Sequence, residues 1–324
     1  MNEIYAIRKP IEVEMDELSV MFQEALYSTN PLLERVLSHI RKRTGKMMRP
    51  MLLLLMAKRF GVVTRKTLHA ALSLEMLHTA SLVHDDVVDE SEERRGMPSV
   101  NALFNNKLSV LSGDYLLSTA LLHASLTGDV NIIAMISHLG RQLADGEILQ
   151  LSNIDSEELS EEVYFQIIRK KTGALFEVCA QAGVLSVSGS VQEMEWARSF
   201  GEIIGVVFQI KDDIFDYFSN TAIGKPTGND MREGKLTLPV LHVLLETHDE
   251  KMLALANKVK AGNATDEEIA RLVDFTKQNG GIDYAMGVMQ RKVERAHQLL
   301  EQYPDDEIRA SLAAYIDYVV AREK

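Results

Sequence analysis

Apolar residues recur three and four positions apart along most of the chain, and this spacing constrains the fold more than any other feature. Residues at that spacing share one face of an α-helix, whereas strands would show alternation in steps of two. Only 7 prolines and 19 glycines interrupt the 324 residues. We therefore predict an all-α protein in which each helix turns an apolar stripe towards a core.

The pattern predicts twelve helices, together with one that begins near Pro50, since proline is tolerated in a first turn. The segment 219–235 is rich in Asn, Gly, Pro and Lys and is predicted to be a functional loop. One domain spanning residues 1–324 is the expectation, because a large helical domain can absorb this length. The twelve predicted ranges are 11–26, 30–43, 66–89, 99–126, 130–150, 160–185, 190–218, 235–247, 251–260, 266–278, 282–303 and 305–322.

Charge and hydropathy exclude several classes of protein. The net charge of -12 argues against nonspecific binding to nucleic acid or to acidic lipid. The longest apolar run, residues 51–57, is far shorter than the ~20 residues that span a bilayer. Residues 1–16 lack the pattern of a signal peptide, and the single cysteine, Cys179, fits a reducing compartment. We expect a cytoplasmic protein that neither spans a membrane nor binds nucleic acid.

Two triplets of aspartate, each directly after an apolar run, are the main functional signal. Spacings of three and four bring their carboxylates to one helix face, where like charges repel unless a cation is bound. Either triplet alone would be interpreted as a solvated acidic helix end, but two together favour a metal site. All-oxygen ligands favour magnesium, whose other positions are taken by water and phosphate oxygens. The triplets are Asp85, Asp86 and Asp89, and Asp212, Asp213 and Asp216.

Basic and polar residues that can contact a diphosphate lie near both triplets in the sequence. Each has an ordinary alternative: Arg94 and Arg95 as a solvated helix exit, His78 as a core histidine, Lys171 as a surface lysine. Their joint occurrence favours one diphosphate bound through magnesium and a second one bound without metal. The full set is Lys46, Arg49, His78, Arg94, Arg95, Lys171, Thr172, Gln209, Lys225 and Lys235, and Asp230 lies in the same loop as the last two lysines.

On these residues, from about Gly45 to Pro239, the chain resembles the trans-isoprenyl diphosphate synthases, and specifically long-chain types such as octaprenyl diphosphate synthase. The resemblance implies a single all-α bundle around a central cavity, the isoprenoid synthase fold, and a homodimer. It also implies magnesium-dependent, sequential head-to-tail condensation of isopentenyl diphosphate onto an allylic diphosphate such as farnesyl diphosphate. About three magnesium ions would act at each site.

The resemblance also assigns roles to individual residues. Isopentenyl diphosphate would be bound by Lys46, Arg49, His78 and Arg95. The allylic diphosphate would be bound by Arg94, Lys171, Thr172, Gln209, Lys225 and Lys235. All six aspartates of the two triplets would be metal ligands, and the residues expected to matter most for catalysis are Asp85, Asp86, Asp89, Lys171 and Asp212.

Small residues before the first triplet bear on product length. Ala80 and Ser81 lie five and four positions before Asp85, a level at which short-chain relatives carry a bulky aromatic that blocks the growing tail. A tail that passes this level would run on beyond Leu77. We expect a hexaprenyl-to-decaprenyl product suited to quinone side chains. The alternatives are a shorter, farnesyl or geranylgeranyl, product, or close helix packing as the reason for the small residues.

Three rival functions are weaker. A terpene cyclase shares the fold, but the family pattern replaces the second triplet and does not need the pocket of Lys46, Arg49 and Arg95. A His-Asp metal phosphohydrolase, suggested by His84 and Asp85, would leave the second triplet unexplained. A regulatory subunit of a synthase usually lacks the aspartates that this chain keeps.

Overall fold

A computed structural model describes residues 3–42, 45–94, 96–156, 158–218 and 227–322. Within these ranges the chain is helical apart from turns, loops and one two-stranded antiparallel sheet, so the predicted all-α class is confirmed. The strands are β1 (Glu93–Arg94) and β2 (Met97–Pro98), with Glu93 opposite Pro98 and Arg94 opposite Met97. Over the described part of the chain, no helix is both long enough and apolar enough to cross a bilayer.

A 3₁₀ turn (Lys9–Ile11) follows the first helix, and a π-helical turn (Arg169–Gly173) separates the ninth from the tenth. The helices are α1 (Glu3–Arg8), α2 (Glu12–Ala25), α3 (Pro31–Lys42), α4 (Met48–Phe60), α5 (Arg65–Val88), α6 (Val100–Leu103), α7 (Asn106–Leu126), α8 (Val130–Asp155), α9 (Glu161–Ile168), α10 (Ala174–Ser186), α11 (Val191–Phe215), α12 (Asn229–Arg232), α13 (Leu238–Thr247), α14 (Glu250–Lys260), α15 (Asp266–Gln278), α16 (Gly281–Leu300) and α17 (Glu307–Ala321).

The first of two compact units comprises Met1–Gly140, Leu175–Gly201 and Leu300–Tyr315. Residues 50–57 of helix α4 are apolar on every side and lie in the core of this unit, as expected for a helical stretch without a polar face. Helices α5 and α7 pack along one another, and the Ser73 hydroxyl donates to the Ala120 carbonyl, 2.7 Å away. This packing fixes α5, the helix that carries the first aspartate triplet.

The second unit comprises Arg141–Ala174, Glu202–Leu299 and Ile316–Lys324. Apolar residues of α11 and α13 are buried in its core, with Ile204, Ile210, Leu238 and Val240 all inaccessible to solvent. Side-chain caps begin α14, where Asp249 accepts from the backbone, and α15, where Thr265 and Glu268 form a capping box. That the whole chain forms one domain remains a prediction.

Two predicted helices are interrupted. The helix predicted over 99–126 breaks before α7, because the Asn105 side chain accepts from the Leu108 amide and caps a new helix start. The helix predicted over 160–185 contains the π-helical turn, which places Lys171 and Thr172. The sequence pattern missed α1, α12, β1 and β2, all of which are too short to show a period.

Candidate active site

The first aspartate triplet closes α5. Asp85 and Asp86 lie in the last turn and Asp89 is the C-cap. A helix C-terminus carries partial negative charge, and this last turn contains no basic residue, so three carboxylates here are unfavourable unless a cation joins them. This placement agrees with a cation-binding role.

The three carboxylates differ in access. Asp86 is only 1% exposed, and the Nε of Arg94 on β1 donates to its Oδ1 at 2.5 Å. Asp85 and Asp89 are half-buried and so keep access to solvent. Arg94, which the resemblance assigned to the allylic diphosphate, therefore lies against the triplet and holds its middle member.

Two residues predicted to bind isopentenyl diphosphate are in contact. Arg49, in the first turn of α4, lies 3.0 Å through its Nη1 from the Nε2 of His78 on α5. Its guanidinium also stacks 4.8 Å from the ring centre of Phe176. A guanidinium N–H donating to Nε2 requires the neutral imidazole with its proton on Nδ1. The structure thus brings Arg49 and His78 to one point.

The structure says less about the other two residues predicted to bind isopentenyl diphosphate, Lys46 and Arg95. Lys46 is exposed in the loop before α4. A small cavity beside His78 is lined also by Gly45, Asp86 and Arg94, which links the loop to the first triplet. Arg95 lies outside the described residues.

The second triplet lies at the end of α11, and its members are held by different groups. Asp213 is 3% exposed: Tyr164 donates its hydroxyl to Oδ2 at 2.5 Å, and Gln209 donates its amide to Oδ1 at 2.8 Å. Thr172 in turn donates to the Gln209 carbonyl oxygen at 2.7 Å. A chain of hydrogen bonds therefore runs from the π-helical turn to the aspartate.

Asp216 and Asp212 have other surroundings. Asp216 is 9% exposed and accepts from the backbone amides of Asn229 (3.0 Å) and Asp230 (3.1 Å), so it caps the short helix α12. The Asp212 side chain is 38% exposed, and Arg322 donates to its Oδ1 at 2.8 Å. Asp212 is therefore the most accessible carboxylate of the triplet.

Burial of like charges shifts the pKa values in this cluster. Burial raises the pKa of Asp213 to about 7; the Tyr164 hydroxyl and Gln209 amide oppose the shift, and Asp212 and Asp216 add to it. Burial, with Asp216 and Asp213, also raises the pKa of Asp230 well above its usual value. The cluster holds more negative charge than its surroundings stabilise, which suits a bound cation.

A cavity of about 170 Å³ joins this triplet to the predicted allylic group. Lys171 contacts the Glu147 carboxylate and donates to Gln150 Oε1 at 3.1 Å. Lys235 donates to Glu233 Oε2 at 2.6 Å. Lys225 lies outside the described residues. The predicted residues that line this cavity are Lys171, Thr172, Gln209, Asp213, Asp230 and Lys235.

No group of three His, Cys, Asp or Glu side chains among the residues described is arranged to hold a metal ion by itself. Magnesium commonly takes only one or two protein carboxylates and completes its shell with phosphate oxygens and water. Asp85 and Asp89 in the first triplet, and Asp212 in the second, are each partly accessible, which fits carboxylates that share a metal ion with a diphosphate.

Residues assigned to product length lie on α5. Ala80 is 2% exposed, Leu77 is buried, and Ser81 is half-buried with its hydroxyl donating to the His78 carbonyl at 2.9 Å. Sequence reasoning missed Tyr164 and Arg322. Tyr164 follows no motif, and Arg322 reaches Asp212 across 110 residues, so neither has a local sequence signal.

Known proteins resemble this chain over nearly its whole length. The polyprenyl synthetase family matches residues 30–276. Octaprenyl diphosphate synthase of Haemophilus influenzae is 33% identical over 96% of this chain and 95% of its own length. A crystal structure of geranylgeranyl pyrophosphate synthase from Bacteroides thetaiotaomicron is 52% identical, with a TM-score of 0.89 over 99% of this chain and 100% of that one. Polyprenyl synthase from Caulobacter crescentus, complexed with calcium and isoprenyl diphosphate, is 28% identical, with a TM-score of 0.91 and 98% coverage of both chains.

The helical architecture, the two aspartate triplets and these likenesses define a prenyltransferase of the trans-prenyl diphosphate synthase class with the isoprenoid synthase fold. The chain belongs to the polyprenyl synthetase family.

Proposed function

We propose that this prenyltransferase is a long-chain all-trans polyprenyl diphosphate synthase. It adds isopentenyl diphosphate, head to tail and repeatedly, to an allylic diphosphate such as farnesyl diphosphate. The observation that carries the proposal is the cavity in which Lys171, Thr172, Gln209 and Lys235 meet Asp213 of the second triplet. Cationic, hydroxyl and amide donors beside a carboxylate suit a diphosphate that is bound through metal.

The accessible carboxylates of the two triplets would hold the magnesium ions that bind the allylic diphosphate: Asp85 and Asp89 in the first triplet and Asp212 in the second. Asp86 and Asp213 hold the triplets in shape through Arg94 and Tyr164. Bound magnesium would stabilise the negative charge that develops on the leaving diphosphate. Divalent metal is typical of the family, and one related structure contains calcium with isoprenyl diphosphate.

Isopentenyl diphosphate binds without metal, through side-chain donors. Arg49 is oriented by Phe176 and His78, so its planar guanidinium is held ready for a phosphate oxygen. Lys46 adds an exposed charge from the loop before α4, and Arg95 completes the group by resemblance.

The reaction breaks the allylic C–O bond, and inorganic diphosphate leaves with the electron pair. The alkene of isopentenyl diphosphate attacks the allylic cation and forms the new C–C bond. A proton is then lost from the isopentenyl unit, and the released diphosphate takes it. Lys171 and Lys235 stabilise the leaving group's charge as it develops. The aspartates act as metal ligands and not as proton carriers, as the resemblance to the family implies.

Product length rests on Ala80 and Ser81. Small side chains one turn before Asp85 leave space that an aromatic would close, which favours hexaprenyl to decaprenyl products. The 52% identical relative described as a geranylgeranyl pyrophosphate synthase favours a second candidate, a geranylgeranyl product.

Product analysis distinguishes the two candidates. Purified enzyme is incubated with farnesyl diphosphate, labelled isopentenyl diphosphate and Mg²⁺, and the dephosphorylated products are separated by chain length. We expect hexaprenyl or longer alcohols from the wild type and from the control Ala80→Ser, and farnesyl or geranylgeranyl alcohol from Ala80→Tyr. A wild-type product that stops at geranylgeranyl would establish the second candidate, and an unchanged distribution in folded Ala80→Tyr would place the length determinant elsewhere.

We propose a homodimer as well. Helix α7 exposes a group of apolar side chains, and such a patch is unfavourable on the surface of a monomer. The same helix of a second copy would bury it. These residues are Val110, Leu111, Leu121, Leu122 and Leu126, each between 42% and 56% exposed. Sedimentation should give a dimer for the wild type and a monomer for Leu122→Asp. A cytoplasmic location remains a prediction.

A further inference from the structure

Arg322 follows directly after α17 and is held firmly against α11. Its Nη2 donates to Asp212 Oδ1 at 2.8 Å and to the Phe208 carbonyl at 2.9 Å. Its guanidinium lies 3.7 Å from the ring centre of Phe208 and 5.8 Å from that of Phe215. The side chain is only 12% exposed. This arrangement fixes a cation against the first aspartate of the second triplet.

The three aspartates of the second triplet differ in the donors that contact them and in their exposure to solvent. The described contacts of Asp213 and Asp216 come from uncharged donors: a phenol, an amide and two backbone N–H groups. Asp212 is paired with a guanidinium and is the most exposed of the three. A guanidinium and a metal ion both seek the same carboxylate lone pairs. One oxygen of the accessible carboxylate is therefore already engaged by a cation.

We propose that Arg322 is a positioning residue that occupies the Oδ1 of Asp212 in the metal-free enzyme and gives it up when Asp212 binds metal. The proposal rests on the proposed function, in which Asp212 is a metal ligand. In the metal-free state the contact offsets the repulsion within the acidic triplet. The stacking on Phe208 does not depend on Asp212, so the guanidinium keeps a resting position nearby after it is released.

Competition of this kind lowers the affinity of the metal-free enzyme for a divalent cation. The test measures the binding of Mn²⁺, a paramagnetic probe of magnesium sites, by electron paramagnetic resonance in the absence of substrate. Four proteins are compared: wild type, Arg322→Gln, Asp212→Asn and the double variant. We expect Arg322→Gln to bind Mn²⁺ about 2–5-fold more tightly, the upper part of the range for loss of one partly exposed ion pair. In the Asp212→Asn background the same change should alter affinity by less than about twofold.

Lys211 provides the matched control. It carries a positive charge next to Asp212 in sequence, yet its ammonium lies over the Phe215 ring, 4.7 Å from the ring centre. Lys211→Met should change Mn²⁺ affinity less than Arg322→Gln does. Equal gains in the two variants would show a general charge effect and overturn the contact that we propose. An unchanged or weaker affinity in folded Arg322→Gln would also overturn it.

Folding is monitored by circular dichroism, and Arg322→Lys, which keeps the charge but lacks the planar fork, replaces Arg322→Gln if that variant does not fold. It should show a smaller gain of the same sign, and no gain would count against the proposal. If Asp212→Asn alone leaves Mn²⁺ binding unchanged, Asp212 is not a ligand and the metal assignment fails with it. If Asp212→Asn weakens binding while Arg322→Gln changes nothing, only the inference about Arg322 fails.

Discussion

Replacing Tyr164 with phenylalanine removes one oxygen and leaves the ring in place. That oxygen donates to Asp213 Oδ2 at 2.5 Å, between two buried side chains. A buried hydrogen bond to a charged group contributes about 1.5–3 kcal/mol, and one between neutral groups contributes about 0.5–1.5 kcal/mol. The cost of Tyr164→Phe therefore depends on whether Asp213 is ionised.

The pKa of Asp213, raised by burial to about 7, sets the pH at which that cost changes. In the unfolded chain Asp213 titrates near 3.8, so the folded protein binds the extra proton between about pH 4 and 7. Its contribution to stability is largest at the acidic end and falls as pH rises through 7. The Tyr164 hydroxyl lowers this pKa, so Tyr164→Phe raises it further. The variant should lose about 1 kcal/mol at pH 6 and about 2–3 kcal/mol at pH 9.

Scanning calorimetry of metal-free protein at the two pH values measures this difference. At about 2–4 °C per kcal/mol, the melting temperature of Tyr164→Phe should lie about 2–4 °C below wild type at pH 6 and about 4–12 °C below it at pH 9. Tyr217→Phe is the control, because the buried Tyr217 hydroxyl makes no hydrogen bond to a carboxylate among the residues described. Its shift should be the same at both pH values. An equal loss at pH 6 and pH 9 for Tyr164→Phe would refute the reasoning.

Three further predictions concern other residues. Asp85→Asn should keep its fold but lose about 10²–10³-fold in kcat, because a ligand for the developing charge is gone; near-normal kcat at saturating Mg²⁺ would contradict this. Arg49→Gln should raise the KM for isopentenyl diphosphate by about tenfold or more and barely change the allylic KM, since its guanidinium serves a pocket without metal; equal changes would argue against separate pockets. His69 and His123 lie 3.0 Å apart through their Nδ1 atoms, and burial lowers the pKa of both below 6.5. The unfolded chain binds more protons below that pH, so stability should fall as pH drops from 6.5, and His123→Gln should flatten this dependence in thermal melts at pH 7.5 and 5.5.

The helices were predictable where an apolar period runs long enough to be seen. The prediction of a helix over 66–89 agrees with α5, because Leu68, Leu72 and Met76 share one face and the acidic triplet ends the pattern. Breaks inside a periodic run were not predictable. The apolar residues of the run over 160–185 resume directly after the polar π-helical turn, so the sequence pattern predicts one helix, and only the structure shows that the turn aims Thr172 at Gln209.

The parts of the candidate site that consist of charges repeated close together in the sequence were predictable. The contacts between residues that are far apart in the sequence were not. The aspartate triplets stand out because carboxylates at helical spacing repel one another. Tyr164 sits in an apolar stripe and is typical of a core residue, so its donation to Asp213 depends on the packing of α9 against α11. Arg322 similarly resembles a surface residue at a chain end, and its pairing with Asp212 follows from the position of α17.

Metal-dependent incorporation of isopentenyl diphosphate tests the proposed reaction most directly. Wild type and Asp212→Asn are each incubated with farnesyl diphosphate and labelled isopentenyl diphosphate, with Mg²⁺ or with chelator, and extractable prenyl diphosphate is counted. We expect label to enter products longer than farnesyl diphosphate only with wild type and Mg²⁺. Absence of label in that sample, or equal labelling by Asp212→Asn, would contradict a condensation that depends on the second aspartate triplet.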